Sequence, residues 1–234
     1  MPFQPISPQS VTSIFQNNLS EMIVSGELKI GDRLPPEAEM ARQTGLSKSA
    51  VHQGIKELEK QGFVRIVPRK GLYVNDYRRY GTIETLKALV NYNHNNLDLD
   101  TVRSILEFRA GNEGTAVALM INRQQNKDLS QYRKWIEELK EMSDPEKMAD
   151  LLYQFHLQIG IDSMNTVIPM VINGFSTISR VFFDLWIDLM DRTTIVTFLE
   201  DYLDAIEKGD LDQALQVYQT NADRFLEIYQ TRTR

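Results

Sequence analysis

The hydrophobic period of the chain changes at Gly62, and this change constrains the fold more than any other feature. Before it, residues 48–61 place Val51, Ile55 and Leu58 on one face of a helix, with polar side chains opposite. After it, the stretches FVRIV and LYVND alternate apolar and polar residues, with PRKG between them. Alternation interrupted by a short turn predicts a β-hairpin. We therefore expect a helix followed at once by a hairpin with a basic tip.

Two further helices are predicted upstream. Residues 10–25 carry apolar side chains at helical spacing and stop at Gly26. The segment EAEMARQT follows two prolines, which suit a first helical turn, and it stops at Gly45. Ser47 is then a candidate N-cap for the third helix. Two helices joined by a glycine turn form a helix-turn-helix, and the hairpin extends it to a winged helix over residues 1–77.

Charge is distributed unevenly along the chain. The formal net charge is −6. Residues 42–79 nevertheless hold 9 Lys and Arg against 3 Asp and Glu. A local basic patch on an acidic chain is typical of a nucleic-acid footprint, and the alternative is a solvated basic face. The predicted winged helix around the patch favours the first interpretation.

A family resemblance supports it. One stretch resembles, without a gap, the DNA-binding domain of GntR-type bacterial transcription regulators. This stretch is GDRLPPEAEMARQTGLSKSAVHQGIKELEKQGFVRIVPRKGLYV. Many relatives have a polar residue or Arg where this chain has Ala38, and Arg where it has His52, so no operator sequence is transferred. The resemblance implies that the start of the third helix and the hairpin tip contact double-stranded operator DNA, at Ser47, Lys48, Ser49, His52, Gln53, Arg69, Lys70 and Gly71.

The chemistry of these side chains suits such contacts. Lys48 can bind phosphate or a guanine edge, and Gln53 can recognise adenine. Ser47 and Ser49, at a helix N-terminus, can donate to phosphate. His52 can serve either purpose. For Gln53 the alternative is an ordinary solvated side chain.

The remainder of the chain is predicted to be helical. Residues 78–81 form a polar, basic linker, and residues 82–234 form an all-helical domain of about six to seven helices. The fold class is therefore mainly α: a winged helix-turn-helix with three helices and a hairpin wing, then an all-α bundle. The helices are predicted at 82–93, 100–121, 127–142, 145–162, 166–191, 194–207 and 211–230.

The bundle resembles the C-terminal ligand-sensing and dimerising domain of the FadR subfamily of GntR-type regulators. The stretches that carry the resemblance are ILEFRAGNEGTAVALM, FHLQIGIDSMN and DAIEKGDLDQA. Many relatives hold a divalent metal there with one Asp and three His, at positions that correspond to Leu152, His156, Leu199 and Asn221. Only His156 keeps a ligand type, and a zinc-like site typically needs at least three protein ligands. Asp150 and Asp162 are each six residues from His156 and fall on other helix faces, so we predict no bound metal and no cofactor.

A small-molecule effector is still expected in the bundle. By resemblance and by polarity the candidate contacts are Arg109, His156, Arg180 and Asn221. A buried guanidinium needs an anionic or carbonyl partner, which favours an organic acid, a phosphorylated compound or an acyl-CoA-like ligand. The alternatives are ordinary ion pairs of Arg109 with Glu113 and of Arg180 with Asp184. The apolar stretch GFSTISRVFFDLWIDLM could line an acyl pocket, although such stripes are more often core or dimer interface.

The favoured function is a homodimeric transcription regulator whose operator binding responds to the effector. The alternative is a DNA-binding dimer whose bundle serves only dimerisation or protein contacts. An enzyme is not expected, since no nucleophile motif, glycine-rich phosphate loop or metal set is present and no catalytic residue can be named. Cysteine is absent, which fits a reducing compartment. No apolar run reaches the roughly 18 residues of a membrane span and no secretory signal is evident, so we expect a cytoplasmic, membrane-free protein that joins the nucleoid when bound to DNA.

Overall fold

The structure, a computed structural model, describes residues 10–92, 97–123 and 128–232. The chain divides into two compact units, residues 1–94 and 95–234. The first unit contains α1 (Val11–Val24), α2 (Glu37–Thr44), α3 (Lys48–Lys60), β1 (Val64–Val67), β2 (Gly71–Val74), α4 (Tyr77–Tyr80) and α5 (Ile83–Tyr92). The second contains α6 (Leu99–Arg123), α7 (Ser130–Glu141), α8 (Pro145–Asp162), α9 (Ile168–Gly174), α10 (Ser176–Leu189), α11 (Arg192–Lys208) and α12 (Leu211–Arg232).

The first unit is the predicted winged helix. Strands β1 and β2 are antiparallel, with Val64 opposite Val74 and Val67 opposite Gly71. The Leu34 N–H donates to the Leu72 carbonyl at 2.9 Å, which joins the segment before α2 to the hairpin. The apolar side chains of α1, α2, α3 and both strands meet in one core. The change of hydrophobic period at Gly62 thus marks the passage from helix to hairpin, as predicted.

Both helix boundaries predicted around the turn between α2 and α3 are present. Gly45 ends α2 in the left-handed conformation, with φ 70°. The Ser47 hydroxyl oxygen accepts a hydrogen bond from the Ala50 N–H at 3.1 Å, and so caps α3. On the buried face of α3, Val51, Ile55 and Leu58 are completely buried. Burial of this face leaves the opposite, polar face of α3 at the surface.

The second unit is the predicted all-helical bundle. Helix α6 packs on α8 and α12, α8 packs on α10, and α11 packs on α7 and α12. Asp144 caps α8 by accepting from the Glu146 N–H at 3.1 Å, as the sequence Ser-Asp-Pro-Glu predicts. Gly209 ends α11 with φ 73°, and Asp210 accepts from the Gln213 N–H at 3.0 Å to start α12. These glycine and aspartate signals thus define the start of α8, the end of α11 and the start of α12.

One predicted helix is broken. The segment 166–191 was expected to be continuous, but α9 and α10 are separated at Phe175, whose φ and ψ are −90° and 7°. Gly174, a weak helix former, immediately precedes the break. Phe175 stacks on Phe108 of α6 with ring centroids 4.6 Å apart. The helical periodicity of the sequence continues through the segment, so the break is attributed to the tertiary contact of Phe175 with Phe108.

The boundary between the units also differs from the sequence-based limits. Helix α5 packs on α1 and belongs to the unit that ends at residue 94, whereas the prediction assigned residues 82–93 to the bundle. The segment proposed as a linker, 78–81, contains most of the short helix α4. The position of the linker between the two functional domains stays a prediction. Within the described ranges, no helix is long and apolar enough to cross a membrane.

Candidate functional site

The exposed face of α3 carries the predicted DNA contacts. Helix packing brings Ser47, Lys48, Ser49, His52 and Gln53 together at the surface, on the first two turns. Lys48 makes no ion pair with any described residue, so its charge is free to meet a phosphate. His52 is more than half exposed, and its Nδ1 lies 3.1 Å from each carboxylate oxygen of Glu37.

The hairpin tip carries the remaining predicted contacts. Arg69 adopts a left-handed conformation with φ 64°, which is uncommon for a residue other than glycine. The Lys70 N–H donates to the Val67 carbonyl at 3.0 Å and closes the turn. Gly71 has φ 122°, and a Cβ there would lie 3.2 Å from Arg33 Nε. The tip therefore needs glycine at 71, and it exposes Arg69 and Lys70.

The bundle contains a buried polar cluster, which we define as Arg109, Glu113, His156, Ser179, Tyr202 and Tyr218. Its centre is a hydrogen bond of 2.8 Å between Glu113 Oε1 and His156 Nδ1. Both side chains are only 6% exposed. The Tyr202 hydroxyl also donates to Glu113 Oε1, at 3.4 Å. Glu113 is thus bound from two other helices, α8 and α11.

The tyrosines of the cluster are held in their neutral form. Burial raises the pKa of Tyr202 well above its ordinary value, and the Glu113 carboxylate raises it further. Burial likewise raises the pKa of Tyr218 to about 12, although the Arg109 guanidinium opposes the shift. Both phenols therefore keep their protons at physiological pH, and Tyr202 donates its proton to Glu113.

Arg109 is not paired with Glu113, which was one of the alternatives left open by the sequence. Its Nη1 donates to Ser179 Oγ at 3.2 Å. Its guanidinium carbon lies 4.8 Å from the Phe182 ring centroid and 4.7 Å from that of Phe183. Cation–π contact with two rings favours the charge in this apolar setting. Glu113 is engaged by His156 instead.

Two small cavities adjoin the cluster. The outer chamber has a volume of about 40 Å³, and its lining includes Phe108, Arg109, Tyr153, His156 and Phe175. The inner chamber has about 20 Å³, and Arg109, His156 and Phe183 separate it from the outer one because they line both. Each chamber has room for one or a few waters, since one water needs roughly 10–15 Å³.

Two buried donors line the inner chamber without a partner. Arg109 Nε and Trp186 Nε1 make no hydrogen bond with any residue that the structure describes. Both lie in the wall of the inner chamber, together with Asn221. An N–H group buried without an acceptor is unfavourable by about 1–3 kcal/mol. The inner chamber is therefore suited to an acceptor oxygen.

Three of the four predicted effector contacts are brought together, and one is not. Arg109, His156 and Asn221 all line the inner chamber. Arg180 lines neither chamber; it forms ion pairs with Asp150 and, at 3.2 Å, with Glu146, and its side chain is 41% exposed. Its partners are on α8 rather than at Asp184. Arg180 thus ties α10 to α8 at the surface.

The donor set does not fit the metal of the FadR-like relatives. Leu152 and Leu199 are completely buried apolar residues. His156 has its Nδ1 engaged by Glu113. Among residues 10–92, 97–123 and 128–232, no three His, Cys, Asp or Glu side chains are grouped so as to hold a metal ion. Hard or borderline cations find no adequate ligand set in these ranges.

Sequence reasoning missed much of the cluster. Glu113 was considered only as a partner for Arg109, yet it lies on a helix face otherwise occupied by Leu106, Val117 and Met120. A lone carboxylate on an apolar face is a signal that could have identified it, because such a group needs a buried partner. For Ser179, Tyr202 and Tyr218 no comparable signal exists, since they are ordinary core side chains until the helices are assembled.

Taken together, a winged helix with an exposed cationic face and a helical bundle with a buried polar cluster define a class of DNA-binding regulators. The sequence model described as "Bacterial regulatory proteins, gntR family" matches residues 15–74, and that of the FCD domain matches residues 104–221. The chain belongs to the GntR family and carries an FCD domain, the FadR-like C-terminal domain. The matched family is one of bacterial regulatory proteins, and the relatives named below are described as helix-turn-helix transcriptional regulators.

Individual relatives agree with this assignment. The HTH-type transcriptional regulator Mce2R of Mycobacterium tuberculosis is 32% identical over 112 residues, or 48% of this chain and 46% of the relative. The match thus spans about half the length of that regulator. LutR of Bacillus subtilis is 24% identical over 222 residues, covering 89% of this chain and 97% of the relative.

A solved structure shares the fold. Lar of Listeria monocytogenes, which is described as controlling the expression of the agr system, aligns over 99% of each chain. The TM-score is 0.61 and the identity 18%. The likeness at this identity concerns the fold alone.

Proposed function

We propose that the protein is a homodimeric regulator whose operator binding responds to a small-molecule effector held in the chambers of the bundle, without a bound metal. The observation that carries the proposal is the buried polar cluster. Arg109, Glu113 and His156 are charged or polar groups in an apolar core, and fold stability alone gives little reason to keep them there. They line two adjoining cavities, which is the usual setting of a ligand site.

The effector is proposed to be an anionic compound with a carboxylate or phosphate oxygen. Arg109 Nε and Trp186 Nε1 can only donate hydrogen bonds, so the group that satisfies them must accept. The two chambers are small, and an organic acid needs less side-chain movement to enter than an acyl chain does. The apolar stretch 174–190 supplies the aromatic walls, with Phe182, Phe183 and Trp186 among the buried residues.

The operator contact is proposed for the exposed start of α3 and for the hairpin tip. Lys48, Arg69 and Lys70 are exposed, and none forms an ion pair among the described residues. Ser47 and Ser49 stand beside the N-terminus of α3, which attracts phosphate. Gln53 and His52 lie one turn further along, where base edges are within reach of a helix in the major groove.

A homodimer is proposed because two winged helices are needed to contact two half-sites of a near-palindromic operator. The corner between α8 and α9 supports an association surface. It exposes four large apolar side chains, Ile161, Met164, Val167 and Met170, with exposed fractions of 48%, 64%, 60% and 70%. As a regulator of bacterial genes the protein is proposed to act in the cytoplasm, on the nucleoid.

The effector can alter operator binding only if it binds two arrangements of the dimer with different affinity. The cluster offers a physical route, because Arg109 and Glu113 of α6 contact α8, α10 and α11. A ligand that draws Arg109 from between Phe182 and Phe183 would change how α6 packs on α10. The second candidate, a bundle that serves only assembly, is favoured by the small volume of the chambers.

A ligand screen tests the effector. Purified full-length protein is heated with a panel of mono- and dicarboxylates and sugar phosphates, since a bound ligand raises the melting temperature by mass action. The matched variants are Arg109→Met, inside the chambers, and Arg180→Met, outside them. We expect a compound that stabilises the wild type and Arg180→Met but not Arg109→Met. If no compound acts, or if Arg109→Met responds as the wild type does, the assembly-only candidate is favoured.

A binding assay tests the DNA contacts. Operators are first selected from random duplex DNA, and affinity is then measured as a function of salt. Lys48→Ala and Arg69→Ala should each weaken binding and reduce the slope of log affinity against log salt by about 1. Lys60→Ala is the control, because Lys60 lies at the far end of α3. Equal effects of all three substitutions would contradict the proposed contact surface.

A further inference from the structure

The contact between Glu37 and His52 determines what His52 can recognise. Glu37 is in the first turn of α2 and His52 is in the second turn of α3, so the contact crosses the helix-turn-helix. Both carboxylate oxygens lie 3.1 Å from the same ring nitrogen, His52 Nδ1. The first turn of a helix is also where a negative side chain is favoured, which keeps Glu37 suited to this role.

The chemistry of a carboxylate assigns the proton. An ionised carboxylate only accepts hydrogen bonds, so the bond requires a proton on His52 Nδ1. In a neutral imidazole one nitrogen donates and the other accepts. Nε2 of His52 then carries a lone pair, and it makes no hydrogen bond with any residue in the described part of the chain.

The neighbouring charges do not compete for the ring. On α3, Lys56 is paired with Glu59 at 3.0 Å, and Lys48 has no acidic partner among the described residues. On α2, Glu39 is bound by Arg42. Glu37 is the one carboxylate that contacts His52 within the described ranges, and because it engages Nδ1, Nε2 is the ring nitrogen left available to a ligand.

We propose that Glu37 is a specificity-determining residue: it fixes His52 as the Nδ1–H tautomer, so that Nε2 accepts a hydrogen bond from an amino group of the operator. In the major groove, adenine N6 and cytosine N4 present amino donors, whereas guanine presents only acceptors at N7 and O6. His52 therefore selects adenine or cytosine and rejects guanine at its base. Lys48 can only donate hydrogen bonds, so it selects the opposite kind of base edge, the acceptors N7 and O6 of guanine. The inference rests on the proposed contact of α3 with DNA.

The tautomer can be observed without DNA. Long-range proton–nitrogen NMR correlations distinguish the two neutral tautomers of each histidine, and the chain has only 3 histidines. At about pH 8, we expect His52 to be the Nδ1–H form in the wild type. The signals are assigned with His52→Gln. Glu37→Ala should shift His52 toward the Nε2–H form, and Glu39→Ala, which removes a carboxylate from the same turn of α2, should not.

The base preference is measured by selection from random duplex DNA at the same pH. The position that loses its preference in His52→Ala is the base contacted by His52. There, we expect adenine or cytosine in the wild type and in Glu39→Ala, and a preference that falls about 3- to 10-fold in Glu37→Ala, the worth of one hydrogen bond. Positions that depend on Lys48 should keep their preference.

The outcomes separate the inference from the proposed function. Guanine at the His52 position, an Nε2–H wild-type tautomer, or an unchanged preference in Glu37→Ala would each overturn the role of Glu37. The same is true if no position depends on His52. If Lys48→Ala loses all sequence preference while the His52 tautomer is intact, the inference about Glu37 stands. If the wild type selects no sequence at all, the operator contact itself is refuted.

Discussion

Glu113 of α6 and His156 of α8 share a buried hydrogen bond of 2.8 Å between Oε1 and Nδ1. As at His52, a carboxylate demands the proton on Nδ1, so the partner of Glu113 is a donor at that atom. His156 also stacks on Phe183 of α10 with ring centroids 5.4 Å apart. One imidazole thus links three helices of the bundle.

Removal of the Glu113 carboxylate should destabilise the bundle. Glu113→Ala leaves the His156 and Tyr202 donors without their acceptor, and we expect a loss of about 2–4 kcal/mol in the free energy of unfolding. Glu113→Gln should lose less, because its amide oxygen still accepts from Nδ1–H. Urea unfolding measures both, with Glu107→Ala on the exposed side of α6 as the control. A loss in Glu113→Ala no larger than in Glu107→Ala would contradict this account.

Gly54 should not tolerate a methyl group. A Cβ there would lie 2.6 Å from Phe15 Cδ1, inside the contact between α3 and α1. We expect Gly54→Ala to reduce stability by about 1–3 kcal/mol through overpacking. Combining it with Phe15→Leu should restore part of the loss, which a double-mutant cycle reports as a coupling energy. Simple additivity of the two changes would show that the predicted clash is absent.

Gly111 should behave in the opposite way. It lies inside α6, and a Cβ there would meet no atom within 4 Å. Gly111→Ala should therefore stabilise the protein by about 0.5–1 kcal/mol, because alanine loses less backbone entropy on helix formation. Thermal unfolding measures the change. A lower melting temperature would indicate that this surface of α6 packs against something outside the described chain.

Alkaline pH should destabilise the bundle through Tyr218. Burial raises the pKa of this phenol in the folded protein to about 12, while in the unfolded chain it is about 10. Its contribution to stability is complete below pH 10 or so and is lost as the pH rises through about 12, because the unfolded chain releases the proton first. Tyr218→Phe should lessen the fall in unfolding free energy between about pH 10 and pH 12. The exposed Tyr80 provides the control variant Tyr80→Phe, which should leave that fall unchanged.

Zinc and nickel should have no specific effect on stability. A tight site needs at least three ligands, and the family's other three positions hold Leu152, Leu199 and Asn221 in place of Asp and His. Melting temperatures measured with each metal and with a chelator should agree for the wild type and for His156→Ala. A large stabilisation by either metal that His156→Ala abolishes would show a site of a different kind.

The winged helix was predictable because its signals are local. Gly45, Ser47 and Gly62 act within a few residues of themselves, and the change from a period near 3.6 to a period of 2 needs no tertiary information. The same holds for Asp144 and Gly209 in the bundle. Elements bounded by such residues were predicted to within a few positions.

The buried cluster was only partly predictable because its contacts are tertiary. The spacing of Arg109 and Glu113 permits an ion pair on one helix, and sequence alone cannot show that His156, 43 positions away, takes the carboxylate instead. The break at Phe175 has the same origin, in a ring that stacks on Phe108. Arg180 shows the converse, since a cation in an apolar stretch proved to be at the surface, bound to acids of α8.

Arg69 at the hairpin tip carries a consequence for anyone who redesigns this protein. A left-handed backbone at a residue other than glycine is unfavourable by about 1 kcal/mol, and glycine or asparagine would relieve it. Under the proposed function, the same replacement removes a cation from the DNA. An engineer who ranks substitutions by thermostability would choose glycine at this position, and one who ranks them by operator affinity would keep arginine.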